Sequence, residues 1–399
     1  MNREMPEPES FSVLPSIIGT GSADPYPLYE WLRTHRPLCR DASGVWLASS
    51  HALVTRILDD ARFSARPPPG AVPLDDPLGY TNMVVFQTGE AHERLRRFLA
   101  PLFSRKALLS LQAFIDDEVA RLIDQCEGLP RFDLVAHIAS VLPVHTICRL
   151  LGFPDEHGAS YLQASAGAWQ LISGAPMSAQ ERALAAVQTE TFIAQVESFM
   201  LAIEPDVVPD HAAARFLRLE QEGGMGRREM LVNVLFLFIA GYGTTLLSIG
   251  NSIAALLRAP RAWQALKDNV SLVPQAVREL YRYDPAVQSV FRYAWDDVEI
   301  DGYRIRRGER VMPLIGAANR DPAAFAAADE IRFEREAGRS LTFGAGPHSC
   351  MGLALARMQL ESLLSALMRR MPGLRLAPRE QPRQQHGSFH GYDRLMVEH

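Results

Sequence analysis

The sequence predicts a mainly α protein with minor β structure. Three observations carry this expectation: several long segments with helical spacing of apolar residues, only short strand-like runs between them, and no linker that divides the chain cleanly. The helical segments are 91–103, 107–126, 135–151, 180–201, 229–257, 273–283 and 352–370. Pro101 ends or kinks the first of these, Pro260 follows the fifth and Pro285 closes the sixth. Arg369 and Arg370 suit the C-terminus of the last, where cations meet the negative end of the helix dipole. Strands are expected at 45–48, 298–300, 303–305 and 310–314, with turns at Asp301-Gly302 and Arg307-Gly308. The prolines of 67–69 and 73–79 mark a long loop, a feature that is often functional. One mostly helical domain spanning residues 1–399 is therefore expected.

The chain has 399 residues, of which 47% are apolar and 22% charged, an ordinary composition for a globular protein with a large core. A net charge of -5 supplies no global basic field for nucleic acid or an anionic membrane. Four cysteines without CxxC pairing argue for reduced thiols rather than a disulfide scaffold, and for a cytoplasmic setting. Met1–Ser10 lacks a basic and an apolar segment, so no signal peptide is expected. From Met230 to Leu257 there is no charged residue, a length that passes for a membrane span. Its Asn233, Ser248, Asn251 and Ser252, its glycines and the absence of aromatic belts favour a helix buried on all sides.

The chemistry concentrates in Phe343-Gly344-Ala345-Gly346-Pro347-His348-Ser349-Cys350-Met351-Gly352. Glycines permit positive φ and close backbone approach. A cysteine at a helix N-terminus is favoured as thiolate by the dipole and free N–H groups. Cys39, Cys126 and Cys148 have no such setting and read as small buried hydrophobes.

This decapeptide resembles the haem-binding loop of the cytochrome P450 superfamily, with every fixed position matched. The resemblance implies a single triangular helical fold with small antiparallel sheets. It places the haem between a distal helix at Ala240–Thr245 and the Cys350 loop. It implies haem b (iron protoporphyrin IX), with Cys350 as the metal ligand and Phe343, Gly344, Gly346 and Gly352 shaping the loop. His92, Arg96, Arg292 and His348 match propionate-binding positions, and cations suit carboxylates. Arg94 and Arg97 fall on other faces of the same helix and are expected to be solvated. Glu279 and Arg282, three apart on one helix face, resemble the family's Glu-x-x-Arg motif. The register from Asp321 to Phe343 makes Arg335 the third member of that network.

Ala240, Gly241, Gly243 and Thr244 resemble the family's oxygen-binding groove, with Thr244 as the residue that hydrogen-bonds dioxygen. Gly243 departs from the pattern, which has Asp or Glu there. A missing proton relay is expected to slow O–O cleavage or leak peroxide, and an acid restored at 243 to raise product per electron pair if the relay limits. The resemblance implies a monooxygenase that hydroxylates or epoxidises a medium-sized, largely apolar organic molecule in secondary metabolism, free or carrier-tethered. The departure at Gly243 keeps open a non-inserting oxidase (coupling, desaturation) or a peroxide-driven enzyme. No nicotinamide or flavin fingerprint is present, so electrons are expected from a separate ferredoxin or flavodoxin-type donor. The exposed Arg97, Arg105 and Arg357 would meet it. A monomer is expected, with no nucleic acid and no membrane. Substrate is expected among Met83, Val84, Phe86, Trp169, Val287, Val290, Phe291 and the hairpin at 388–394.

Overall fold

A computed structural model describes residues 11–22, 24–71, 79–154, 158–203, 211–335, 338–378 and 383–399. The sequence-predicted loop at 73–79 lies outside these except for Gly79.

The architecture is built around one helix, Arg227–Leu257, of 31 residues. Its uncharged middle is buried all round, as expected from a sequence with no polar stripe. By length and composition it is able to cross a membrane, yet 72% of its most apolar stretch is buried inside the fold. Gly89–Phe103 with Arg105–Glu127 passes the same test only as one span bent by 47°. The polar residues of the central helix are spent on neighbours. Asn251 donates to the carbonyls of His390 (3.0 Å) and Asp284 (3.3 Å). Asn233 accepts from the Val84 amide at 2.9 Å and donates to the Asn82 carbonyl at 2.9 Å. That bond pins a short 3₁₀ turn, Val84–Phe86, over one end of the helix.

Around the central helix pack Leu142–Leu151, Gly158–Ser173, Ala179–Leu201, Val273–Tyr283 and Leu353–Arg370, and Arg105–Glu127 packs in turn on Leu142–Leu151 and Leu353–Arg370; Gly89–Leu99 precedes it in the chain. Sequence signals account for several of their ends. Ser104 accepts from the Ala107 amide at 3.3 Å, and Ser178 with Glu181 closes a capping box. Pro101 diverts the first helix into the 3₁₀ turn Ala100–Phe103. The expected helix 135–151 is broken: a π turn at Val135–Ala139 precedes an α-helix that starts at Leu142. Pro143, without an N–H, sits in the first turn of the second piece and cannot continue the first. The helices Tyr26–His35, His51–Asp59, Gly158–Ser173, Ala212–Gln221 and Pro260–Asp268 were not anticipated.

The β structure is minor, and one expectation about it is corrected. The sheets are not all antiparallel: in the five-stranded sheet, Trp46–Ala48 runs parallel to Arg310–Pro313, with Trp46 opposite Val311. The intervening helical chain provides the long crossover that a parallel pair requires. The same sheet holds Arg292 opposite Val311. At the C-terminal end, Gln384–His386 and Phe389–Gly391 form a hairpin. Its backbone clamps the segment after Pro285: Gln288 donates to the Ser388 carbonyl at 2.8 Å and His390 to the Ala286 carbonyl at 2.9 Å.

Replacing Asn233 by Ala strands the buried Val84 amide and is expected to cost about 1–3 kcal/mol. Denaturant unfolding of the variant measures it; an unchanged midpoint would show that water takes over the amide.

Candidate active site

The Cys350 loop is held by its own backbone. Cys350 donates its amide to the Phe343 carbonyl at 2.8 Å, and Gly344 donates to Leu341 at 2.8 Å. Gly344 and Gly346 sit at φ +71° and +64°, where other residues are strained. A Cβ on Gly346 would also lie 2.4 Å from the Leu58 carbonyl oxygen. The Cys350 sulfur opens onto a cavity and accepts the amides of Gly352 and Leu353 at the start of Leu353–Arg370. Burial pushes its thiol up, against those amides and the Arg96 charge, which pull it down. A metal bound at the sulfur would favour the thiolate. Phe343 stands edge-on to Tyr281, 5.1 Å between centroids. Gly352 is not required by space, since a Cβ would meet the sulfur only at 3.8 Å.

Behind this loop lies a buried charge network. Glu279 is 5% exposed, Arg282 2% and Arg335 11%. Glu279 takes two bonds from Arg282 (2.7 and 2.8 Å) and two from Arg335 (3.0 and 3.2 Å). Arg282 spends its other N–H groups on the carbonyls of Asn319 (2.7 Å), Ala328 (2.8 Å) and Glu330 (3.1 Å). Asn319 in turn accepts from the Leu341 amide at 2.8 Å and donates to Thr342 at 2.8 Å. A continuous chain of hydrogen bonds thus runs from Glu279 to Leu341 and Thr342, just before Phe343, whose carbonyl holds the Cys350 amide.

One end of the cavity is cationic. His92, Arg96, Arg292 and His348 all line it, and no Asp or Glu does among the described residues. His92 and His348 stand 4.2 Å apart, ring to ring. Arg292 is 9% exposed, and one of its terminal nitrogens donates to the Phe291 carbonyl at 2.8 Å, its one hydrogen bond among the described residues. Arg96 donates to the Ser349 carbonyl at 2.8 Å. Burial pushes Arg292 down to about 10, and burial with the charges of Arg292, His92 and Arg96 pushes His348 down to about 3. Burial first and Arg96 second lower His92. Such a cluster calls for an anion, and the carboxylates of haem fit that donor set. Arg94, expected to be solvated, instead pairs with Glu229 and the Gly224 carbonyl, tying its helix to the start of the central helix. Arg97 is exposed, as expected.

The opposite wall is the central helix. Ala240, Gly241 and Thr244 line the cavity there. Thr244 donates its hydroxyl to the Ala240 carbonyl at 2.8 Å, leaving oxygen lone pairs for a second partner. Gly241 admits Ile147, whose Cδ1 would lie 2.8 Å from a Cβ. Gly243 does not line the cavity; it is buried beneath Trp169, whose Cζ3 would lie 2.3 Å from a Cβ. An acid has no room at 243 while that indole is in place, which removes the ground for expecting a simple gain from restoring one. Among the expected substrate contacts, Val84, Val287 and Val290 line the cavity, joined by Val85, Phe236 and Leu237. Met83, Phe86, Trp169 and Phe291 do not.

A cavity walled by a helix with a threonine on one side and a cysteine loop on the other, cationic at one edge and otherwise apolar, defines a haem-thiolate oxidoreductase site. The comparisons agree. The family model for cytochrome P450 matches residues 210–387. A putative cytochrome P450 133B1 of Xylella fastidiosa is 35% identical over 363 residues, 89% of this chain and 90% of that one. The mycinamicin IV hydroxylase/epoxidase of Micromonospora griseorubida is 34% identical, covering 83% of each chain. The solved structure of P450BioI in complex with an acyl carrier protein ligated to hexadec-9Z-enoic acid superposes with a TM-score of 0.87. It is 28% identical and covers 94% of this chain and 98% of that one. The chain belongs to the cytochrome P450 family. It is a monooxygenase oxidoreductase with a haem-thiolate iron cofactor, acting on a small molecule.

Glu279→Gln leaves two buried guanidinium groups without their anion and is expected to cost about 3–5 kcal/mol. Glu330→Gln removes an exposed partner of Arg332 and is expected to cost at most ~1 kcal/mol. Denaturant unfolding and haem content of the two variants separate the cases; equal losses would assign no special role to the network.

Proposed function

We propose that residues 1–399 work as one domain that holds haem b, with Cys350 on the iron and His92, Arg96, Arg292 and His348 on the propionates. In this reading it hydroxylates or epoxidises a medium-sized, largely apolar molecule of secondary metabolism. The observation that carries the reading is the edge of two arginines and two histidines on an apolar cavity whose two walls present Cys350 and Thr244. When bound, thiolate-ligated haem activates dioxygen for transfer to carbon, the thiolate favouring O–O cleavage. The chain supplies the rest. His92, Arg96, Arg292 and His348 would hold the propionates, the Gly352 and Leu353 amides hold the sulfur, and Thr244 presents a hydroxyl to the cavity. Ala240 and Gly241, being small, leave room beside Thr244, and the valines and Phe236 exclude water and orient an apolar substrate. The acyl-carrier complex of P450BioI supports a substrate delivered on a carrier as readily as a free one.

Electrons come, in this reading, from a separate ferredoxin or flavodoxin-type donor with an acidic face. Arg97 and Arg105 are exposed. Arg357 is half-buried and lines a hollow on the Cys350 side together with Arg278, Arg332 and Arg339. A second reading, oxidation without oxygen insertion, is favoured by one observation: residue 243 carries no acid and the space for one is filled by Trp169.

The reduced protein under carbon monoxide is expected to show a strongly red-shifted Soret band, and Cys350→His to move it to the position of histidine-ligated haem. A wild-type band already at that position overturns the ligand assignment. Once a substrate is found by haem spin shift, product formed under isotopically labelled dioxygen is expected to carry one labelled atom; unlabelled product selects the second reading.

A further inference from the structure

Gly243 and Trp169 are a fitted pair. A Cβ on Gly243 would lie 2.3, 2.7 and 2.8 Å from Cζ3, Cη2 and Cε3 of the indole. The indole is not the loose end of a flexible side chain. It stacks on Phe389 of the C-terminal hairpin, 4.4 Å between centroids at 28°. It also meets Tyr242, 6.2 Å between centroids. The Tyr242 hydroxyl is itself fixed by Ser165, 3.0 Å away and one turn before Trp169 on the same helix. That helix has no freedom to retreat, because a Cβ on Gly167 would lie 2.4 Å from the Ala185 carbonyl oxygen of the next helix. Leu247, Ala286 and Val287 complete an apolar cluster around the indole and Phe389. Ala286 and Val287 also line the cavity, so this cluster is the outer wall of the site.

The flank of the central helix next to Thr244 is therefore closed by an aromatic group seated in a notch that only glycine provides. We propose that Trp169 is a positioning residue that seals this flank against water, keeping solvent and its protons from reaching the Thr244 hydroxyl except through the cavity. Closing a site in this way suppresses side reactions in which dioxygen leaves with electrons and protons before it reaches substrate. The inference rests on the haem-thiolate reading for its consequence, but the pairing itself is a property of the fold.

Two measurements on holoprotein test it, and neither needs a substrate or a donor. The first is a double-mutant cycle in thermal unfolding. Gly243→Ala is expected to lower the melting temperature with Trp169 present. With Trp169→Ala it is expected to leave the temperature unchanged or raise it, because alanine is the better helix former. Equal effects in the two backgrounds overturn the pairing. The second is the rate at which dithionite-reduced protein is reoxidised by air-saturated buffer. Trp169→Ala is expected to reoxidise several-fold faster, and Trp169→Phe, a smaller plug, to fall between it and the parent. An unchanged rate in a Trp169→Ala protein with full haem content overturns the seal even if the pairing holds. Failure of the haem-thiolate reading shows separately, as a carbon monoxide spectrum without the red-shifted band in the parent protein.

Discussion

Glu279 is a carboxylate kept almost wholly out of water, and much of the site is arranged around that fact. A buried charge is tolerable only when paired and hydrogen-bonded. The pairing with Arg282 and Arg335 leaves donors to spare on both guanidinium groups. Those donors reach carbonyls scattered over residues 319–330, segments with little regular structure of their own. The anion thus organises, through two cations, a stretch of backbone that no sheet or helix would hold. Ala327 sits at φ +48°, a conformation rare for alanine, and its carbonyl is one that Arg335 bonds. The network also reaches Leu341 and Thr342, the last residues before the cysteine loop. The position of Cys350 is in this sense set from Glu279.

The same logic of charge runs in reverse at the cavity. Where Glu279 is an anion with two cations, Arg96 and Arg292 stand with His92 and His348 at a cavity edge that no Asp or Glu lines among the described residues. Natural interiors rarely leave Arg292 so placed with a single carbonyl for company. Burial and the neighbouring positive charges hold His348 below its usual range, burial lowers Arg292, and an incoming anion would relieve both. In the proposed reading the cationic edge would hold the carboxylates of haem, with Cys350 on one wall of the cavity and the central helix on the other.

Much of this was legible in the sequence because the relevant residues stand close together along the chain. The cysteine loop is one decapeptide, His92 and Arg96 are one turn apart, and Glu279 and Arg282 share a helix face. Arg335 was reached through register alone, and it contacts Glu279. What was not legible depends on partners distant in sequence. Arg94 is one of several arginines on its helix, and nothing local says that Glu229 waits for it. The helix Gly158–Ser173 was missed because it has neither charges nor a sharp apolar stripe; packing between two other helices, rather than its own pattern, makes it a helix. The parallel pairing of Trp46–Ala48 has no local signature either, since its partner lies more than 260 residues away.

Gly243 shows how one residue can carry two meanings. Along the sequence it is a missing acid, defined by what stands at that position in similar chains. In three dimensions it is a present cavity, filled by Trp169. The second meaning constrains the first. A carboxylate at 243 would need the indole to leave, the indole is held by Phe389 and Tyr242, and Tyr242 is held by Ser165. Evolutionary or engineered return of the acid therefore requires at least a paired change at 169. A route for protons to Thr244, if the enzyme inserts oxygen, must come from the cavity side, where water or substrate can stand. A change that looks chemical at position 243 is thus bound up with packing on a different helix.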